Sequence, residues 1–324
     1  MQVHYNIHQL PAFNNAVITI GTFDGVHLGH QQIIAQLLAE AKAVQGETVI
    51  ITFHPHPRKI VSSKEIYILN TLDEKIELLA AKGIDHLVVV PFDEAFANQS
   101  ADEYVQHFLF AKFNPNTVII GYDHKFGKGR TGDYHLLEDY GKQLGFVVKE
   151  IPERVLNEVI ISSTKIREAL FNCDIDEANN CLGYNYFFEG LVVDGNKLGR
   201  TLGYPTANLQ IQNQEKLVPG NGIYAVRVVH RPLSLVDSLP TANNELSTIN
   251  YQLLNGMMSI GVRPTIGESP RTIEVNIFDF DADIYGQTLR VYVKKYLRPE
   301  VKFDTLDALT KQLAQDKIDS LAVL

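Results

Sequence analysis

The chain has 324 residues, is 45% hydrophobic and carries a formal net charge of −9, from 29 Lys and Arg against 38 Asp and Glu. So acidic a chain lacks the basic stripe that sequence-independent nucleic-acid binding needs. No apolar run reaches the roughly 18 residues of a membrane span, and the N-terminus MQVHYNIHQL has no basic segment followed by an apolar core. A cytoplasmic protein of two domains is expected, with small-molecule partners rather than nucleic acid or membrane, and with room for weak self-association. Cys173 and Cys181 fit neither a disulfide framework nor a zinc pattern and read as buried free thiols.

From Val17 to about residue 184, strand-like apolar runs alternate with helical ones. VITIG, TVIITF, HLVVVPF, TVIIG and FVVKEI read as strands, and QQIIAQLLAEAKA, LDEKIELLAAKG, ADEYVQHFLFAKF and YHLLEDYGKQLG as the helices between them. The alternation predicts an α/β domain over residues 1–184, a parallel sheet with helices on both faces. ISSTKIREALFNCDIDEANNCLG closes it as two short helices, with Asp174 capping the second and Glu177 at the third position.

Beyond residue 185, YFFEGLVVDG, NGIYAVRVVH, GMMSIGV, TIEVNIFDF and TLRVYVKKYL are strand-like, with turn residues and no helices between them. They predict a small antiparallel β-barrel over residues 185–324. DFDADIYG begins like a calcium loop, but Ile284 stands at its required glycine, so it reads as a turn. A terminal helix starts near Asp304 or Thr305 with Leu306, Leu309 and Leu313 on one face. Residues 231–252 lack periodicity and read as a long hairpin insertion.

The link from the first strand to the first helix, GTFDGVHLGH, is a turn of the kind where open α/β sheets hold ligands, because the free N–H groups of the next helix attract anions. Gly21 lets the strand end turn, Gly25 and Gly29 remove side chains that would block a ligand, and His27 and His30 offer two imidazole donors. Such donors can grip a triphosphate and stabilise the charge that builds on an α-phosphate under in-line attack. Two other readings stay open: plain turn glycines with surface-capping histidines, or a metal site on Asp24, His27 and His30.

GTFDGVHLGH resembles the HxGH signature of nucleotidyltransferases, in the form found in the FAD synthetase module of bacterial bifunctional riboflavin kinase/FMN adenylyltransferases. FHPHP at 53–57, GYDHKFGKGRTGD at 121–133 and ISSTKIR at 161–167 resemble that family's FEPHP, flavin-pocket and SSTxIR segments, in the same order. The resemblance implies a Rossmann-like domain with His27, His30 and Arg167 in catalysis. It also implies ligand binding by Gly21, Phe23, Asp24, Gly29, His56, Asp123, Ser162, Ser163 and Thr164, the SST segment and Arg167 closing on ATP phosphates.

The second half carries its own signature, GRTLGYPTANL at 199–209. Its glycines and Pro205 shape a tight loop, and Thr206 and Asn208 offer neutral oxygens on one side of an extended chain, which suits a Mg²⁺ that keeps most of its coordination for phosphates and water. The stretch resembles the riboflavin kinase motif GRxLGxPTAN, which implies nucleotide binding by Gly199, Arg200, Gly203 and Pro205, metal ligation by Thr206 and Asn208, and a catalytic base at Glu274. The sequence departs from the family at His54, His124, Ser259 and Asn276. The whole implies a bifunctional enzyme that turns riboflavin and MgATP into FMN and then FAD. The alternatives are a single-activity enzyme with one degenerate module and a non-catalytic flavin-binding regulator.

Overall fold

A computed structural model of the chain describes residues 1–62, 65–122, 124–151, 161–195, 198–231, 252–262 and 271–324. Asp123 and the expected insertion, apart from its end residues, lie outside the described residues. Contacts divide the chain into two compact units, Met1–Ser163 and Thr164–Leu324.

The first unit is built on a parallel sheet in the order β1 (Gln2–His4), β4 (His86–Pro91), β3 (Thr48–His54), β2 (Val17–Ile20), β5 (Thr117–Gly121), β6 (Val147–Ile151). The four inner strands β2, β3, β4 and β5 are apolar on both sides because both their faces are covered. Ile18, Ile51, Val88 and Val118 join one cluster with Tyr104 and Phe108, while Val17, Ile50, Leu87 and Ile119 join another with Ile34, Leu37 and Leu79. The pleat turns alternate residues to opposite faces, so each strand feeds two cores. The stretch expected as one helix at 101–113 is helical throughout, but Tyr104–Phe110 is wound as a π-helix.

The second unit is a closed antiparallel barrel in the order β10 (Leu253–Val262), β11 (Arg271–Ile277), β8 (Ala207–Gln210), β7 (Phe187–Val193), β12 (Thr288–Arg298), β9 (Gly222–Arg231). Residues 279–286 join β11 to β12 as an irregular connection with a turn at its end. The helices Ser163–Phe171 and Ile175–Leu182 belong with this barrel rather than with the sheet. Gly220 N donates to Leu170 O at 2.9 Å, Asn179 Nδ2 to Val293 O at 3.0 Å, and Tyr186 N to Asn179 Oδ1 at 2.7 Å. These bonds set the contact division ahead of the change in sequence texture at 184/185.

Asp174 caps the second of these helices by accepting from Glu177 N at 3.1 Å. Thr305 caps the terminal helix Leu306–Val323 through Ala308 N at 3.2 Å. That helix does not bury the expected leucine face evenly, since Leu306 is 61% exposed. Its inward groups include the polar Asp316 and Ser320, and Asp316 is held by Arg298 of β12 through two bonds of 2.8 and 2.6 Å. Both cysteines are free thiols, Cys181 buried and Cys173 half-buried.

Candidate active sites

In the first unit, β2 runs into the loop 21–26, and Gly21 N donates to Ile51 O at 3.0 Å, which continues the sheet one residue past the strand. The chain then leaves it with three successive departures from ordinary backbone: Phe23 at φ 47°, Gly25 at φ 90° and Val26 at φ 37°. Positive φ at an aromatic and a β-branched residue is strained and persists only where surroundings enforce it. Phe23 is buried against the His30 ring at 5.0 Å, and the Asp24 carboxylate, 1% exposed, accepts from Leu69 N at 2.9 and 3.2 Å and from Asn70 N at 3.2 Å. Ser163 Oγ donates to Asp24 O at 2.9 Å, bringing the SST segment onto the loop from far along the chain.

His27 is the N-cap of the helix Leu28–Ala43, its Nδ1 accepting from His30 N at 3.4 Å. That acceptance puts the proton of neutral His27 on Nε2. The two imidazoles stack with centroids 3.7 Å apart and 16° between planes. A side chain at Gly29 would stand 3.3 Å from the His27 ring, so glycine lets the helix start close against it. His30 keeps part of its surface exposed while its Nδ1 is buried without a hydrogen-bond partner among the described residues. Burial first, then His27 and Lys75, holds its imidazole well below the ordinary histidine range. At neutral pH it is therefore an uncharged ring with one N–H to give.

The remaining residues assigned from the motifs are less closely gathered. His56 Nδ1 accepts from Arg58 N at 3.2 Å, at the start of a short helical turn. Thr164 is exposed, and Arg167 is buried one turn into its helix, in the second unit. Asp24, His27 and His30 do not assemble as a metal site. Asp24 is turned to backbone amides, and among the described residues no cluster of three or more His, Cys, Asp or Glu is placed to hold a metal.

In the second unit, β8 begins inside the PTAN segment, and its register with β11 sets Asn208 opposite Glu274. Thr206 Oγ1 donates to Glu274 Oε2 at 3.2 Å across 68 residues of chain. On the other side of Glu274, β10 sets Ser259 opposite it. Asn276, 5% exposed, donates Nδ2 to Pro205 O at 2.6 Å and so ties the loop to the strand that carries Glu274. The loop closes on itself through Tyr204 N to Gly199 O at 2.8 Å, and a Cβ at Gly199 would fall 2.2 Å from Tyr204 O, a place only glycine fits. Arg200 and Gly203 stand exposed on this turn.

The FAD synthetase family model matches residues 10–165 and the riboflavin kinase model residues 182–324. The bifunctional riboflavin kinase/FMN adenylyltransferase of Haemophilus influenzae is 35% identical over 318 residues, 98% of this chain and 97% of its own. The chain belongs to this bifunctional family. The Escherichia coli K12 member is 33% identical over 97% of the chain and 94% of its own. A crystal structure described as a macrolide-efflux protein from Streptococcus pneumoniae matches 98% of each chain with a TM-score of 0.83 and 29% identity. Among the described residues of this chain no helix is long and apolar enough to cross a membrane.

Against the family motifs, two of the departures have a visible place. Asn276 is the loop tie just described, and Ser259 Oγ donates to Glu300 Oε1 at 3.4 Å. One residue near the first site escapes motif reading altogether. Lys75, 6% exposed, donates Nζ to Thr22 O at 2.6 Å. The sequence does carry a signal for it. Lys75 falls on the stripe of Leu72 and Leu79 in the helix Leu72–Ala80, where a charge interrupts the apolar face.

Proposed function

We infer that this chain, a bifunctional enzyme of FAD biosynthesis, divides its two reactions between its two units. The barrel unit phosphorylates riboflavin to FMN, and the sheet unit joins AMP to FMN to give FAD and pyrophosphate.

In the kinase step the riboflavin hydroxyl oxygen attacks the γ-phosphorus of ATP, its proton passes to Glu274, and ADP leaves. Support comes from the meeting of Thr206, Asn208 and Glu274, which are remote in sequence and adjacent across β8 and β11. Because the Thr206 hydroxyl gives its proton to Glu274, its oxygen keeps lone pairs for a cation, and the side-chain carbonyl of Asn208 is likewise neutral. These donors fit Mg²⁺ arriving with ATP, which when bound would neutralise phosphate charge.

In the adenylyl step an FMN phosphate oxygen attacks the α-phosphorus, and pyrophosphate leaves without a protein nucleophile. The chain's task is alignment and charge stabilisation. His27 and His30 supply neutral N–H donors, Gly29 leaves room beside them, and Asp24 and Ser163 hold the loop. We assign the enzyme to the cytoplasm, a reading supported by the lack of a membrane-spanning helix among the described residues.

The observation that carries the reading is that each unit gathers one motif cluster, the stacked histidine pair in the first and the Glu274 constellation in the second. Incubating the purified chain with riboflavin and MgATP and resolving the flavins by chromatography tests it. FMN should rise first and FAD follow. Flavin bound without any ATP consumption would leave a binding protein instead.

A further inference from the structure

We propose that Lys75 is a positioning residue for adenylyl transfer, a buried cation that fixes the loop 21–26 and lends it positive charge. The proposal rests on the assignment of that loop, with His27 and His30, to the phosphates of ATP.

Lysine is seldom buried, because an ammonium taken out of water loses hydration that only charge or strong acceptors replace. Here Nζ meets Thr22 O at 2.6 Å and Thr52 Oγ1 at 3.4 Å, and Thr52 Oγ1 in turn donates to Thr22 O at 3.1 Å. Among the described residues no carboxylate forms an ion pair with it. A carbonyl could be held equally well by a hydroxyl or an amide. What lysine adds at this place is the charge.

The anchor is one of a pair. Asp24 receives the amides of Leu69 and Asn70, just before the helix whose first turn is capped by Thr71 and Glu74, and Lys75 on that helix reaches back to Thr22. The strained residues Phe23 and Val26 lie within and beside the span so clamped. The charged and titratable groups acting with Lys75 are Asp24 from the loop and His30, with its neighbour His27, from the first helix. Both histidine rings serve as neutral donors in the mechanism, so Lys75 is the positive group built into the loop's anchorage. Preorganised charge in a water-excluded place acts on developing phosphate charge without reorganising.

Burial lowers the Lys75 pKa to about 8, opposed by Asp24. It is charged at neutral pH and loses its charge as pH rises through that value. A bound polyphosphate opposes the loss, so the effect belongs to kcat/KM, which reports the free enzyme, and moves to higher pH in kcat.

The test uses the full chain with added FMN and MgATP, measuring FAD formation between pH 6.5 and 10 for wild type, Lys75→Arg and Lys75→Met. Wild-type kcat/KM for ATP should fall above about pH 8. Lys75→Arg, charged throughout, should carry that fall to higher pH. Lys75→Met should be lower by roughly 10- to 100-fold near neutrality and lack the basic fall. A merely structural role would lower melting temperature and rate in both variants and leave the position of the fall where it was. That result, or a Lys75→Met enzyme with wild-type kcat/KM, overturns the proposal. If Lys75→Met does not fold, the wild-type and Lys75→Arg profiles decide. His30→Ala measured alongside separates the two levels: wild-type FAD formation there would remove the site assignment itself, whatever Lys75 does.

Discussion

The two candidate sites, proposed to hold ATP phosphates beside a reacting group, are built by opposite means. In the first, the chain leaves β2 through residues at positive φ and is kept there by buried charged side chains, Asp24 on one flank and Lys75 on the other. In the second, hydrogen-bonded strands do the positioning: the β8–β11 register alone puts Asn208 across from Glu274. A ladder transmits geometry with little local strain, whereas a loop of this shape has to be anchored by groups that are costly to bury. The first site should therefore fail through its supports as readily as through its donors. The second should fail chiefly through the reacting side chain itself.

The broadest way to break that comparison is to remove one chemical group from each side. Glu274→Ala should cut FMN formation by roughly 10²-fold or more while added FMN is still adenylylated. His30→Ala should cut FAD formation by about 10²- to 10³-fold and let FMN accumulate. Separate assays of the two products check both, and loss of both activities in a folded variant would contradict separate sites. Next comes a support. Asp24→Ala strands the amides of Leu69 and Asn70 and should cost about 1–3 kcal/mol of stability, read by denaturant melts, with a loss of FAD synthesis and unchanged kinase rate.

A smaller effect is expected where the ladder is assisted. Asn276→Leu removes the bond to Pro205 O, and steady-state kinetics should show a several-fold higher KM for MgATP at nearly unchanged kcat, since the tie holds the loop and not the base. The smallest lies outside both sites. Thr305→Ala should lower stability by about 1 kcal/mol through the lost helix cap and leave both turnovers as they are.

Much of this was readable in the sequence, and what was not has identifiable causes. The parallel sheet follows from alternating apolar strands and helices, yet β1 gave no signal, because Gln2–His4 is short and polar and is a strand only by pairing with β4. The barrel gained β8 for a related reason. Its Ala207–Gln210 sits inside a motif that reads as loop, and its strand character comes from β7 and β11 on either side. The π winding of Tyr104–Phe110 shares the periodic apolar pattern of an α-helix and is invisible to it. In the candidate sites, the motifs named the histidines, the PTAN oxygens and Glu274, and the structure gathers them into a stacked pair in one unit and a strand-to-strand cluster in the other. They named Asp24 as a binding residue, and no spacing showed that its carboxylate also accepts the backbone amides of Leu69 and Asn70. Supports of that kind depend on partners far along the chain, and no spacing rule reveals them.

Closure of the barrel has a consequence beyond catalysis. A ring of strands has no outermost member, so no row of unpaired backbone groups faces outward for a neighbouring molecule to extend. The parallel sheet does end, in β1 and β6, and is guarded differently. β1 is a mere three residues, and β6 carries Lys149 and Glu150 mid-strand, Lys149 being held by Glu40 at 2.7 Å. Among the described residues, templated strand addition, the usual first event of aggregation when a β protein is warmed or concentrated, thus has its available edges in the sheet unit, and there meets a short stub at one side and charge at the other.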